Sequence, residues 1–187
     1  MKMSKRLGFV SNMERCVGCN ACVIACKSYH GLEPDMKRRK VRELDENLVG
    51  SPVRAYLSAS CQHCENPACM EACPTSAYSK REDGIVLHNR KVCIGCKMCQ
   101  WACPYNAPTF NNVTKKMDKC DMCQERLDQG ELPICVSCCP MEALELVEMD
   151  TLNESTLVKD VAGFPQGSIT DANIRMKLPL SVKQVRR

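Results

Sequence analysis

Residues 93–103 read Cys-Ile-Gly-Cys-Lys-Met-Cys-Gln-Trp-Ala-Cys and are followed by Pro104. No other stretch restricts the fold as strongly. Three thiols spaced two residues apart curl round three corners of an iron–sulfur cubane, with backbone N–H groups turned toward its sulfurs. The fourth thiol, after three more residues, moves away from that cluster and is placed to serve a neighbouring one. Gly95 lies where so tight a loop needs a positive φ, which glycine adopts without steric cost. Pro104 limits how the chain continues and brings no N–H of its own.

Three further cysteine sets occur. Cys16, Cys19, Cys22 and Cys26 repeat the same spacing. Cys61, Cys64, Cys69 and Cys73 widen the middle gap to four residues, so that loop must bulge, and Pro74 follows. Cys120, Cys123, Cys135 and Cys139 place eleven residues between the second and third thiols, and Pro140 follows. Alone, Cys19, Cys22 and Cys26 also fit the buried stripe of a helix. Four sets in register leave little room for that reading. The sets at 61–73 and 93–103 are contiguous and form an inner pair. The sets at 16–26 and 120–139 then close around it.

With fourth thiols exchanged within each pair, four ligand groups are expected. They are Cys16, Cys19 and Cys22 with Cys139; Cys120, Cys123 and Cys135 with Cys26; Cys61, Cys64 and Cys69 with Cys103; and Cys93, Cys96 and Cys99 with Cys73. The chain has 17 cysteines, so one is surplus. Register puts it at Cys138, because Cys139 precedes a proline as Cys73 and Cys103 do. The alternative exchanges Cys138 and Cys139.

Aromatic residues make up only 4% of the 187-residue chain, few for a large apolar core. Clusters that cross-link the centre supply what such a core lacks, because metal binding becomes folding free energy. The expected fold is α+β: two ferredoxin-like units, each binding two [4Fe–4S] clusters, with large irregular loops. Residues 61–103, a Cys loop, a hairpin and a Cys loop, resemble a bacterial two-cluster ferredoxin. Residues 1–55 with 104–150 form the outer unit, 56–103 the inner unit, and 151–187 a tail that contacts a partner.

The formal charge of +4 counts cysteines as neutral. Four oxidised tetrathiolate clusters of about −2 each bring it to roughly −4, so the basic balance is no nucleic-acid signal. The start of the chain lacks an apolar leader segment and a twin-arginine pair. No stretch approaches the length of a transmembrane helix.

Other residues read more locally. Residues 7–15 form a short strand and turn, and 143–149 alternate as a strand. Asp83-Gly84 marks a hairpin turn. Gln124–Gln129 is a helix ended by Gly130. Residues 27–60 read as an irregular, exposed insertion broken by Pro34 and Pro52, with a strand from Val53 to Ser60. Within it Lys37-Arg38-Arg39-Lys40 reads as a solvated loop. His63, between two thiols, supports or faces solvent rather than ligating metal. Lys91, Lys97 and Lys119 flank thiols as ordinary surface lysines, with a role in raising cluster potentials as the alternative. Trp101 and Tyr105 pack over a cluster. Leu152–Val161 forms a short helix, and the rest of the tail is extended.

At this point the chain resembles the four-cluster iron–sulfur subunits of the dimethyl sulfoxide reductase superfamily. The resemblance rests on the four motifs in this order, and on Lys80-Arg-Glu-Asp-Gly84, Cys93-Ile-Gly-Cys96, Ala102-Cys-Pro-Tyr105 and Pro133-Ile-Cys-Val136. It covers residues 7–149. It implies an electron wire between a molybdenum or tungsten bis-pterin catalytic subunit and a membrane anchor that handles quinol. It also implies that the 16–26/120–139 unit lies nearer the catalytic subunit and the 61–103 unit nearer the membrane. The protein is then peripheral to the cytoplasmic membrane through its partners. Cys96 is present, so four cubanes are expected rather than a three-iron centre.

The chain has no Gly-rich nucleotide loop and no nucleophile–base pair, and electron transfer without catalysis of its own is expected. Two other readings remain open: the iron–sulfur wire of a hydrogenase or formate dehydrogenase complex, and a zinc-binding module built on Cys-x2-Cys pairs.

Overall fold

Strand β1 (Leu7–Asn12) is the middle of a three-stranded sheet. It pairs antiparallel with β8 (Leu144–Glu148), in the register Leu7 to Glu148, and parallel with β9 (Ile174–Lys177), in the register Phe9 to Ile174. Five of its six residues are buried, because both its edges and both its faces are covered. The computed structural model describes residues 6–45 and 54–179. Residues 1–5, the break at Pro52, the strand start at Val53 and the basic end after residue 179 lie outside them.

Among the described residues there are also three two-stranded antiparallel ribbons. They are β2 (Lys40–Leu44) with β3 (Ala55–Ala59), β4 (Tyr78–Lys80) with β5 (Val86–His88), and β6 (Thr109–Asn111) with β7 (Lys116–Asp118). The β4–β5 loop spans residues 81–85, longer than a two-residue turn, with Gly84 at φ 81°. Its tightening bond runs from the Arg81 N–H to the Ile85 carbonyl.

The helices are short, and the cysteine motifs set their ends. Helix α1 spans Ala21–Tyr29, α2 Ala68–Glu71, α3 Met98–Ala102, α4 Gln124–Asp128 and α5 Ile134–Ser137. In all four motifs the helix begins one residue before the third cysteine: Cys22, Cys69, Cys99 and Cys135. Proline after the last thiol stops α2, α3 and α5 within about a turn. No proline follows Cys26, and α1 runs on to Tyr29. Helix α1 packs on α5, and α2 on α3, so the first motif meets the fourth and the second meets the third.

Gly18 and Gly95 occupy the same place in their motifs, both at φ 71°. A Cβ on Gly18 would meet the Tyr56 ring at 2.7 Å, and one on Gly95 would run into the Lys115 carbonyl oxygen. These positions need both the left-handed backbone and the missing side chain.

The core is divided into small apolar groups with cysteines in each. Met13, Leu57, Tyr105, Ile174 and Met176 make one; Phe9, Val23, Ile85, Met122 and Leu144 another; Tyr78, Val86 and Met117 a third.

Two expectations are corrected here. The described residues 27–45 and 54–60 are no exposed insertion: Arg38, Arg39, Leu44, Ala55 and Leu57 are buried. The second concerns the helix expected over Leu152–Val161. Residues 152–161 form turns instead of a helix, and Val158 bridges to Met176. Phe164 stacks on Tyr105 with centroids 5.7 Å apart. The Asn173 N–H donates to the Gln62 carbonyl, and its Nδ2 to the His63 carbonyl at 2.6 Å. The alternation Ile174-Arg175-Met176 is too short to announce a strand, but both apolar side chains enter one core.

Gly95→Ala is expected to lower stability by about 3 kcal/mol or more, from a left-handed non-glycine residue and a backbone clash. Gly31→Ala, at φ 55° with open space around it, is expected to cost about 1 kcal/mol. Thermal unfolding of the two variants checks the contrast. Truncation before Val158 is expected to leave insoluble protein, measured as soluble yield; a freely soluble product would show that the tail is dispensable.

Candidate iron–sulfur centres

The paired helices bring distant thiols together. Burial pushes the Cys16 thiol up, and the nearby sulfurs of Cys22, Cys139 and Cys19 add to the effect. Burial pushes Cys26 up to about 12, with Cys135 and Cys123 as its sulfur neighbours. Cys69 is raised by burial and by Cys61, Cys103 and Cys64. These last four thiols also line one narrow apolar cavity with Pro67, Pro104 and Tyr105. Cys99 is raised by burial and has Cys73, Cys93 and Cys96 around it.

Contacts between the groups put them in a row. Cys22 shares one buried group with Cys135, Cys120 shares one with Cys61, and Cys69 shares one with Tyr78, Cys93 and Cys99. Most of these thiols are buried, but Cys19 and Cys96, in the two end groups, are exposed.

Backbone N–H groups reach the sulfurs at two recurring places. Gly95 donates to Cys93 Sγ and Met122 to Cys120 Sγ, both at 3.4 Å. Each donor lies two residues after its thiol. Ala77 donates to Cys73 Sγ at 3.3 Å, Ala107 to Cys103 at 3.5 Å and Ala143 to Cys139 at 3.3 Å. Each of these lies four residues after its thiol. The residues before them, Ser76, Asn106 and Glu142, hold φ of 50°, 49° and 47°, which turns the amide back on the sulfur. The repeated Cys-Pro-x-x-Ala is the sequence signal for this device, and cysteine spacing alone does not disclose it.

Side chains complete the surroundings. Thr170 Oγ1 donates to Cys64 Sγ at 3.1 Å, and the Tyr105 hydroxyl lies 3.1 Å from Thr170 Oγ1. Ser58 Oγ is 3.4 Å from Cys22 Sγ. His30 Nε2 is 3.3 Å from Cys123 Sγ and 3.8 Å from Asp121. The Tyr78 hydroxyl is buried without a partner of ordinary geometry and lies against the Cys99 thiol.

This donor set fits iron–sulfur clusters. Buried thiols gathered in fours would be costly to ionise alone. N–H and O–H groups aimed at them suit anionic sulfur on a metal cluster.

Several single-residue expectations change. His63 is fully buried, not on the surface. Its Nδ1 accepts from the Val86 N–H at 3.1 Å, and burial holds the ring neutral. Lys119 is buried too, its ammonium tied to the carbonyls of Val86 and Cys120. Lys97 is exposed, as expected, and lies over the Phe110 ring at 4.2 Å. Trp101 is 74% exposed and covers no buried centre. Tyr105 is buried as expected beside Cys103 and Cys64. Cys138 is half-buried, with its thiol donating to the Cys135 carbonyl at 3.7 Å. No helix among the described residues is long and apolar enough to cross a membrane.

Residues 53–149 match a family described as a 4Fe-4S dicluster domain, and residues 15–77 match a second family of the same description. The B subunit of the anaerobic dimethyl sulfoxide reductase of Escherichia coli (strain K12) is 41% identical over 184 residues, covering 94% of this chain and 90% of the relative. The B subunit of the polysulfide reductase of Wolinella succinogenes is 40% identical over 153 residues, covering 79% and 78%. The formate dehydrogenase iron-sulfur subunit of the same organism is 34% identical over 175 residues, covering 82% and 86%. These matches set the zinc reading aside: the cofactors are four [4Fe–4S] clusters, and the chain transfers electrons without being catalytic alone. The chain belongs to the family of iron–sulfur electron-transfer subunits of the dimethyl sulfoxide reductase superfamily.

Proposed function

We propose that this chain conducts electrons between a quinol-handling membrane anchor and a molybdenum or tungsten bis-pterin catalytic subunit in anaerobic respiration. The observation that carries the reading is the 41% identity to the B subunit of a dimethyl sulfoxide reductase over 94% of the chain. The row of thiol groups with one exposed cysteine at each end agrees with it, since a wire needs a contact for each partner.

The two ferredoxin-like units would hold the clusters with exchanged fourth ligands. The sets are Cys16, Cys19, Cys22 and Cys139; Cys26, Cys120, Cys123 and Cys135; Cys61, Cys64, Cys69 and Cys103; and Cys73, Cys93, Cys96 and Cys99. Support comes from the sulfur neighbours within each set and from the packing of α1 on α5 and α2 on α3. Cys139 rather than Cys138 is favoured because Ala143 donates to it as Ala77 and Ala107 donate to Cys73 and Cys103. When bound, the clusters supply one-electron chemistry. The residues of the chain hold them in line, exclude water and aim N–H and O–H groups at sulfur, which favours the more negative reduced state.

Each exposed end carries apolar side chains. Val17 and Ile24 flank the first set; Val92, Ile94, Met98 and Trp101 surround Cys96. Such patches mark protein contacts. The second, with its exposed tryptophan, suits the anchor, and the first the catalytic subunit. The protein is then peripheral to the cytoplasmic membrane through its partners. A second reading, the wire of a formate dehydrogenase, draws on the 34% identical relative; a hydrogenase complex has no such match among these relatives.

Anaerobic purification of the native complex is expected to give about 16 iron per chain, stoichiometric molybdenum or tungsten, and no nickel. Full iron with nickel would move the chain to a hydrogenase complex. Formate oxidation without sulfoxide reduction by the complex would favour the formate dehydrogenase reading. Cys138→Ser is expected to retain about 16 iron, whereas Cys139→Ser loses up to about four, measured by iron analysis. Trp101→Glu is expected to keep its iron and lose the anchor subunit from the purified complex; retention of the anchor would place that contact elsewhere.

A further inference from the structure

Arg39 is 2% exposed, among the most deeply buried side chains of the protein. The basic run around it reads as a solvated loop, and the structure contradicts that. Its neighbour Arg38 is also buried but conventionally paired. Arg38 Nε and Nη2 donate to the two Asp118 carboxylate oxygens at 3.2 and 2.9 Å, and Nη1 donates to Asp121 at 2.9 Å.

Arg39 has no such partner: no carboxylate among the described residues pairs with it. Nη1 donates to the Ser58 carbonyl and to Ser58 Oγ, both at 3.2 Å, and Nη2 to Ser60 Oγ at 3.1 Å. The guanidinium carbon lies 4.8 Å from the Phe9 ring centroid. Neutral acceptors and one ring leave a full positive charge taken out of water and not neutralised, a costly arrangement unless a negative charge is near.

The nearby negative charge is on sulfur. The Phe9 ring under Arg39 shares one buried group with Cys22 and Cys135, and negative charge on Cys135, Cys120 and Cys22 favours the guanidinium's charged form. Ser58 Oγ, which accepts from Arg39, is itself 3.4 Å from Cys22 Sγ. Cys22 belongs to the first thiol set, Cys120 and Cys135 to the second.

We propose that Arg39 is the shared counter-ion of the two iron–sulfur centres built on Cys16, Cys19, Cys22, Cys139 and on Cys26, Cys120, Cys123, Cys135. The inference rests on the ligand sets proposed above. A fixed positive charge between the centres favours the reduced, more negative form of each and raises both potentials. The same charge explains why a cation is tolerated there: the clusters neutralise it, as Asp118 and Asp121 neutralise Arg38. Arg39 touches no reacting substrate and acts as a positioning and tuning residue.

The test is a spectroscopically monitored redox titration of the intact complex carrying Arg39→Met, Arg39→Lys or Arg42→Met. Arg42 is exposed and controls for loss of a surface charge. In Arg39→Met with full iron, two centres are expected to shift at least tenfold in their redox equilibria toward the oxidised form, about 59 mV lower for a one-electron couple. The other two stay within error, Arg39→Lys recovers most of the shift, and Arg42→Met moves none. Unchanged potentials in an Arg39→Met complex with full iron overturn the proposal, and a shift confined to one centre overturns the sharing. If Arg39→Met fails to load iron, Arg39→Lys decides. Full loading with near-native potentials supports the charge, and the same failure to load overturns it in favour of packing. A wrong ligand assignment shows separately, as full iron in Cys139→Ser.

Discussion

The structure depends on burying thiols that are far apart in sequence. Cys26 comes to rest beside Cys135 and Cys123, and Cys139 beside Cys16. Contacts that close loops of more than a hundred residues carry a large entropic cost. A chain with 4% aromatic residues has little apolar area with which to offset it. Four clusters with their thiolate ligands supply that difference. The apolar residues are accordingly split into small groups that separate and insulate the thiol sets instead of forming a single core.

The same arrangement governs the electrostatics. Sulfur placed out of water draws in polar groups: the amides of Ala77, Ala107 and Ala143 and the Thr170 hydroxyl donate to it, and the Ser58 hydroxyl and His30 imidazole lie against it. It also accounts for buried cations without carboxylate partners, since Lys119 and Arg39 both sit beside cysteines. Lys119 is satisfied by two backbone carbonyls, and Arg39 by serines, a ring and sulfur. The segment 158–179 joins this network through Thr170 and Asn173, so the end of the described chain is part of a cluster environment and not an appendage.

Legibility follows the range of the interaction. The motif loops, the β4–β5 hairpin, helix α4 with Gly130 after it and strand β8 depend on neighbours within about ten residues, and spacing or turn chemistry announces them. Gly95 can be named in advance because a tight thiol loop demands its backbone. Arg39, Lys119 and Trp101 defeat a local reading because a charge usually means solvent and an aromatic usually means core. Here the charges answer buried sulfur, and the tryptophan stands 74% exposed at one end of the row. Strand β9 is illegible because a four-residue alternation has no meaning until β1 offers an edge.

The sequence by itself determined the chemistry: cysteine spacing, the prolines after the last thiols and the glycines inside the loops specify iron–sulfur loops without reference to any distant residue. Only the tertiary structure decided which ends of the row reach the surface and which cations are drawn inward. Those outcomes depend on helix pairing and sheet order, where residues more than a hundred positions apart compete for the same buried space.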